Sequence, residues 1–159
     1  MLKYIGIFLI SVSVSAYGAV LSRQLKDALA IRKEITVLLK SIEHGIKYGS
    51  KPISEILSGC TLHNLRKCGF IDALADNSIE FATETYLGIL TQDERKKICD
   101  FFNNLGRSSY CEKELEYCKG FIEYFENCEK SSEKEVAAKA VLYSKIGIIC
   151  GILAAIILI

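Results

Sequence analysis

Eighteen consecutive residues, Tyr4 to Leu21, carry no charge. As a helix rising 1.5 Å per residue they reach about 27 Å, close to the ~30 Å hydrocarbon core of a bilayer. Backbone inside a bilayer must satisfy its own hydrogen bonds, so such a run has to be helical if it spans one. A second apolar block closes the chain: Ile146 to Ile159 are wholly apolar. Val141 to Ser144 extend that block, and Lys145 can carry its ammonium out to the headgroups along its own methylene stem. A buried core helix is the alternative for this block. An uninterrupted Ile/Leu/Ala tail with no polar end favours a membrane span instead.

The N-terminal block also holds the parts of a signal peptide, with Lys3 as a basic start and Val14–Ala16 ("VSA") as a small-residue cleavage site. Its apolar run continues through Tyr17 to Leu21 and basic residues follow, which favours an uncleaved anchor. Cleavage would leave a secreted, tail-anchored helical protein. Orientation follows from lysine and arginine. Arg23, Lys26, Arg32, Lys33 and Lys40 follow the first block, Lys130, Lys134, Lys139 and Lys145 flank the second, and only Lys3 lies outside. The bias predicts a cytoplasmic middle segment with both termini across the membrane.

Between the blocks lies an ordinary charged segment. The formal net charge of the whole chain is +1, which offers no nucleic-acid footprint. The seven cysteines are odd in number and lack paired spacing, so they read as reduced thiols packed as small apolar groups on a cytoplasmic face. Cys60, His63 and Cys68 offer three nitrogen or sulfur ligands, but no CxxC or HxxxH accompanies them, and a metal site is not expected. His44 and His63 sit in different segments, and His44 reads as a partly exposed surface histidine. No GxxxxGK[ST], GxSxG or HExxH is present. Neither a catalytic residue nor a cofactor is expected, and the chain reads as a non-enzyme.

The periodicity is helical throughout. Leu25, Ala28, Ile31, Ile35, Leu38, Ile42 and Ile46 recur at three or four residues, and Leu39 widens the stripe, predicting a helix over Ser22–Tyr48. Gly49 is its natural stop, with Pro52 just beyond, and Ser50 caps a short helix in "PISEILSG". Two or three short helices broken near Gly69 and Asn77 follow. Thr91 and Glu94 form a capping box, and Ile98, Phe101, Phe102 and Leu105 give the next helix its apolar face. Gly106 ends it. Ser109 and Glu112 form a second box, opening a long helix whose seam is Cys111, Leu115, Cys118, Ile122 and Phe125. That helix is expected to leave the core near residue 128.

Residues 22–51 hold seven Lys/Arg against three Asp/Glu, and residues 108–135 hold four Lys against eight Glu. Balances of +4 and −4 suit two antiparallel neighbours, although each surface pair contributes little. The expected fold is therefore all-α: a membrane-tethered antiparallel helical bundle with N- and C-terminal transmembrane helices. The expected parts are an anchor over 1–22, a cytosolic helical domain over 23–140 and an anchor over 141–159. The serines of the first span (Ser11, Ser13, Ser15) lie at every second position, and neither span is expected to carry a polar stripe.

Four features occur in order: a "MLK" start to an apolar span, "IEHGIKYGSKPISEIL", "FFNNLGRSSYCEKE" leading into a charged helix, and a terminal apolar span. Over essentially the whole chain this resembles the stage III sporulation protein AB family of endospore-forming bacteria. Tyr48, Gly49, Pro52, Ile53 and Glu55 match one signature of that family. Leu105, Gly106 and Ser108 match another, with Ser109 where the family usually has Asp and with Arg107 between the matched positions.

The resemblance implies a soluble domain similar to the type II secretion F domain, and a platform or adaptor in the channel-like complex between mother cell and forespore. It would sit in the mother-cell membrane around the forespore. It would dock a sporulation ATPase or ring components, with homo-oligomers possible and the two signatures as the candidate interface. The alternative is a small pore-forming or holin-like hairpin regulated by the helices. The topology has its own test. An alkaline phosphatase fused to the C-terminus is expected to be active and a fluorescent protein there dark; a cytoplasmic C-terminus overturns it.

Overall fold

A computed structural model describes residues 2–48, 52–76, 78–107 and 110–158. These are helical with no strand among them: α1 (Leu2–Lys47), α2 (Ile53–Gly59), α3 (His63–Lys67), α4 (Phe70–Asp76), α5 (Ile79–Tyr86), α6 (Gln92–Asn104) and α7 (Cys111–Leu158). Two of them, α1 and α7, are long and apolar enough to cross a membrane. The chain divides into two compact units, residues 1–29 with 131–159, and residues 30–130.

The first unit pairs the two apolar segments antiparallel. A Cβ on Gly18 would lie 2.6 Å from the Tyr143 carbonyl oxygen and 2.8 Å from Gly147 Cα, so backbone meets backbone there. Ser11 donates its hydroxyl to the Gly151 carbonyl at 2.6 Å. Ser11, Ser13 and Ser15 do not share one face, but the expectation that this span carries no polar stripe is corrected here. Ser11, Ser15, Gly18 and Ser22 recur at four, three and four residues, which is one helical face, and that face turns toward Gly147 and Gly151. Only Ser13 points away, its hydroxyl bonded to the Leu9 carbonyl at 2.8 Å. Gly147 and Gly151 form the small-xxx-small spacing that lets helices approach closely. The outward faces remain apolar, from Phe8, Leu9 and Tyr17 to Ile152, Leu153 and Ile156.

The second unit has one core. Ile31, Ile35, Leu38, Leu39 and Ile42 from α1 meet Ile98 and Phe101 from α6 and Cys118, Ile122 and Phe125 from α7; Leu62, Leu65, Phe70, Ala82 and Leu87 close it from the short helices. The predicted stripe of α1 is the buried one. On α7 the seam differs at its start: Cys111 is exposed, Leu115 is half-buried, and Glu114 is buried in their place. The short helices break at Gly69, whose φ is +86°. Asn77, like Gly49 and Ser50, lies outside the described residues. The core stripe of α7 ends at Phe125, and Lys40 pairs with Glu126 at 2.6 Å across the α1–α7 contact.

Polar ties between elements set the register. The Thr91–Glu94 capping box is present on α6. Glu94 does more than cap: it is 3% exposed and takes a two-pronged hydrogen bond from Arg32 of α1, through Nε to Oε1 and through Nη2 to Oε2 at 3.0 Å. Burial pushes the Glu94 carboxyl up, but the bonds from Arg32 and Thr91 more than offset this, holding it below its ordinary 4.5. Glu34 of α1 reaches α3, accepting from Asn64 N and Leu65 N at 2.9 and 2.8 Å, and so supplies the cap that Leu62 lacks.

A depressed carboxylate pKa adds stability above its unfolded value that disappears as pH falls through the folded value. The full chain in mild detergent is therefore expected to lose resistance to urea as pH drops below about 4.5. Glu94→Gln, which leaves Arg32 buried and unpaired in charge, is expected to cost about 3 kcal/mol at pH 7. Pulse proteolysis across pH checks both, and the gap between the two proteins should narrow as the acid limit is reached.

Candidate functional site

The two signature stretches are distant in sequence, and the fold of the second unit draws them to one end. The last turn of α1 lies against the first turn of α7, with Cys111 Sγ 3.9 Å from the Ile46 carbonyl oxygen. On the other side, Gly45 lets α2 approach: a Cβ there would lie 2.5 Å from Ile56 Cδ1. Tyr48, Pro52 and Glu55 thus share an end of the unit with Leu105, Gly106 and Arg107. Gly49, Ser108 and Ser109 lie outside the described residues, as does the Ser109 half of the expected second capping box.

Each described residue has a local reason for its place. Tyr48 N bonds to the His44 carbonyl at 3.1 Å, continuing the last turn of α1. Its ring is 67% exposed, packs on His44 at 4.5 Å and has the Lys47 ammonium 5.1 Å from its centroid. Pro52 opens α2 without a donor to satisfy, and its carbonyl accepts from Glu55 N at 2.9 Å. Glu55 is exposed. Leu105 is half-buried against the core. Gly106 has φ +78°, the left-handed stop expected of it. Arg107 is exposed, and among the described residues its guanidinium bonds Asn104 Oδ1 of its own turn at 3.2 Å. Tyr110 is exposed as well, with the Lys113 ammonium 5.5 Å from its ring centroid.

One residue of this site escaped the sequence reading. Glu114, buried on α7, accepts a short hydrogen bond from Gly106 N. It clamps the turn before α7 to α7's own first turn. The available signal was an acidic residue in the first turn of a helix, facing the positive end of its dipole. That signal does not distinguish Glu114 from Glu112, which is exposed. Phe101 braces the same end, with the rings of Phe102, Tyr117 and Phe121 5.3–5.9 Å from its own. Tyr117 donates to the Asp100 carbonyl at 2.8 Å. Burial pushes the Cys118 thiol up to about 11, so it stays protonated and serves as packing.

The end of the unit therefore presents aromatic rings beside cations, Tyr48 with Lys47 and Tyr110 with Lys113, near the Gly106 N–H that Glu114 holds, an arrangement suited to contact with another molecule. A helical arrangement with a membrane-length apolar helix near each end has the build of a membrane-associated protein. This chain belongs to the stage III sporulation protein AB family, whose sequence profile matches residues 3–159. No curated protein and no solved structure matches the chain. The match makes it a component of stage III of sporulation.

The clamp is separable from the surface it holds. Glu114→Ala removes the acceptor of the Gly106 N–H, which lies on an exposed turn, and is expected to cost about 1 kcal/mol. Gly106→Ala forces a Cβ into the left-handed region and is expected to cost about 1 kcal/mol. The two share one turn, so the double variant should cost less than their sum, as a double-mutant cycle of urea midpoints will show.

Proposed function

We propose that the protein is a non-enzymatic membrane platform of the stage III complex between mother cell and forespore. Its two apolar segments anchor it in the mother-cell membrane around the forespore. The segment between them stands in the cytoplasm and docks a sporulation ATPase or ring components. The observation that carries this reading is that exposed Tyr48 closes α1 where α1 meets the start of α7, next to the turn of Gly106 and Arg107 that Glu114 holds. Packing alone does not require exposed tyrosines flanked by lysines at that place, whereas a docking surface does. The lysine and arginine bias around both apolar segments supports the orientation. The resemblance to the type II secretion F domain supports the platform role, since such domains work beside a cytoplasmic ATPase.

The pore-forming alternative is less well supported. A pore needs polar groups facing its lumen, and the hydroxyl of Ser11 is spent on the facing helix, with Gly18 and Gly147 in backbone contact beside it. Dye release from liposomes carrying the purified protein would favour that alternative.

The platform reading predicts that the ATPase co-purifies with the full chain from sporulating cells. Changing Tyr48, Gly106 and Ser108 together should reduce recovery at least tenfold at equal abundance in the membrane. Unchanged recovery would remove the signatures from the interface.

A further inference from the structure

Between α5 and α6 runs a groove of about 270 Å³, with Glu80 and Glu84 on one wall and Gln92, Arg95 and Lys96 on the other. Spacings of three and four residues put each set on one face of its helix. The walls carry opposite charge, yet among the described residues no ion pair crosses between them. Glu80 is taken by Asn103, whose amide donates to it at 2.6 Å. Arg95 Nε is buried and has no hydrogen-bond partner among the described residues.

A buried donor without an acceptor is costly, and native proteins account for such groups with a water or a ligand. The groove is far larger than the ~30 Å³ share of one water. Arg95 and Lys96 also lie near the N-terminal, positive end of α6, which favours an anion. Two apolar side chains close to these walls in the chain are uncovered. Phe81 is exposed, about 60° around α5 from Glu84, and Ile89 of the α5–α6 link is exposed too. A small anion would pair with the Arg95 guanidinium and leave Phe81 and Ile89 bare, whereas a protein segment reaches both.

We infer that this groove receives a partner protein's segment through an acidic side chain. The carboxylate accepts from Arg95 and Lys96, an apolar neighbour packs on Phe81, and Glu84 selects for a basic residue on the opposite side. The inference rests on the platform reading and adds to it a second surface, separate from the signature turn, with a stated chemistry.

The test places benzoylphenylalanine at Gln92 of the full chain in sporulating cells, with Lys119 on α7 as the control position. Photolysis is expected to give an adduct at Gln92 whose mapped segment holds an Asp or Glu within a few residues. Arg95→Glu should cut the yield at least tenfold and Arg95→Lys should keep a substantial part. Changing the mapped carboxylate to Lys should restore the yield on Arg95→Glu. If Arg95→Glu lowers abundance, Arg95→Gln at an unchanged urea midpoint replaces it.

The inference is overturned by the absence of an adduct, by a segment without a carboxylate, by a yield indifferent to Arg95, or by a yield that inorganic phosphate alone abolishes. Any of these alongside intact ATPase co-purification removes the groove and leaves the platform reading standing. Loss of co-purification on changing the signatures, with the Gln92 adduct kept, does the reverse.

Discussion

The ion pair between Arg32 and Glu94 is the constraint on which the second unit depends. Both side chains are largely withdrawn from water, 12% and 5% exposed, and desolvating two charges is recovered only when the geometry is good and the remaining lone pairs are used. Here they are used. The guanidinium takes both carboxylate oxygens, and Thr91 donates to Oε2 through its backbone and its hydroxyl, each at 2.9 Å. One carboxylate therefore caps α6 and fixes its start on α1. With that end fixed, α6 can bring Phe101 into the core only in one register, and that register delivers Leu105 and Gly106 to the end of the unit where α1 stops.

The same device recurs twice. Glu34 of α1 caps α3, and Glu114 of α7 holds the N–H of Gly106. In each case a carboxylate on a long helix satisfies backbone donors of a short element that cannot satisfy its own. Helices of five to eight residues are marginal alone. Here they persist because the long helices supply their apolar partner surface and, for α3, the missing acceptor. The candidate docking end is thus held by the same chemistry that builds the domain, which is why its exposed side chains, Tyr48 and Arg107, are free of any core duty.

The first unit works by a different rule. Between apolar helices in a bilayer there is no gain from excluding water, so close packing of small residues and hydrogen bonds across the contact must hold the pair. Gly18 against Gly147 and the Ser11 hydroxyl on the Gly151 carbonyl fit that rule. An interface of Leu and Ile would be as apolar as the lipid around it and would offer no such approach.

Much of this was legible in the chain. Periodicity identified the buried stripe from Ala28 to Ile42. The Thr91–Glu94 spacing identified a helix start, Gly106 a helix stop, and the two uncharged runs the membrane-length helices. These features answer to local rules, in which neighbours a few residues apart decide the outcome. What local rules could not assign was partnership. The choice of Glu114 over Glu112 as the buried acid, and the exposure of Cys111, depend on which face of α7 meets the core. The serines of the first span looked scattered at every second position, and the face that Ser11 and Ser15 share with Gly18 became evident only against Gly147 and Gly151. By itself the sequence determined where helices begin, end and carry their apolar stripes. Only the tertiary structure decided which charges pair across 62 residues, which small residues touch, and that the last turn of α1 meets the first turn of α7, because each of those depends on contacts whose sequence separation leaves no periodic trace.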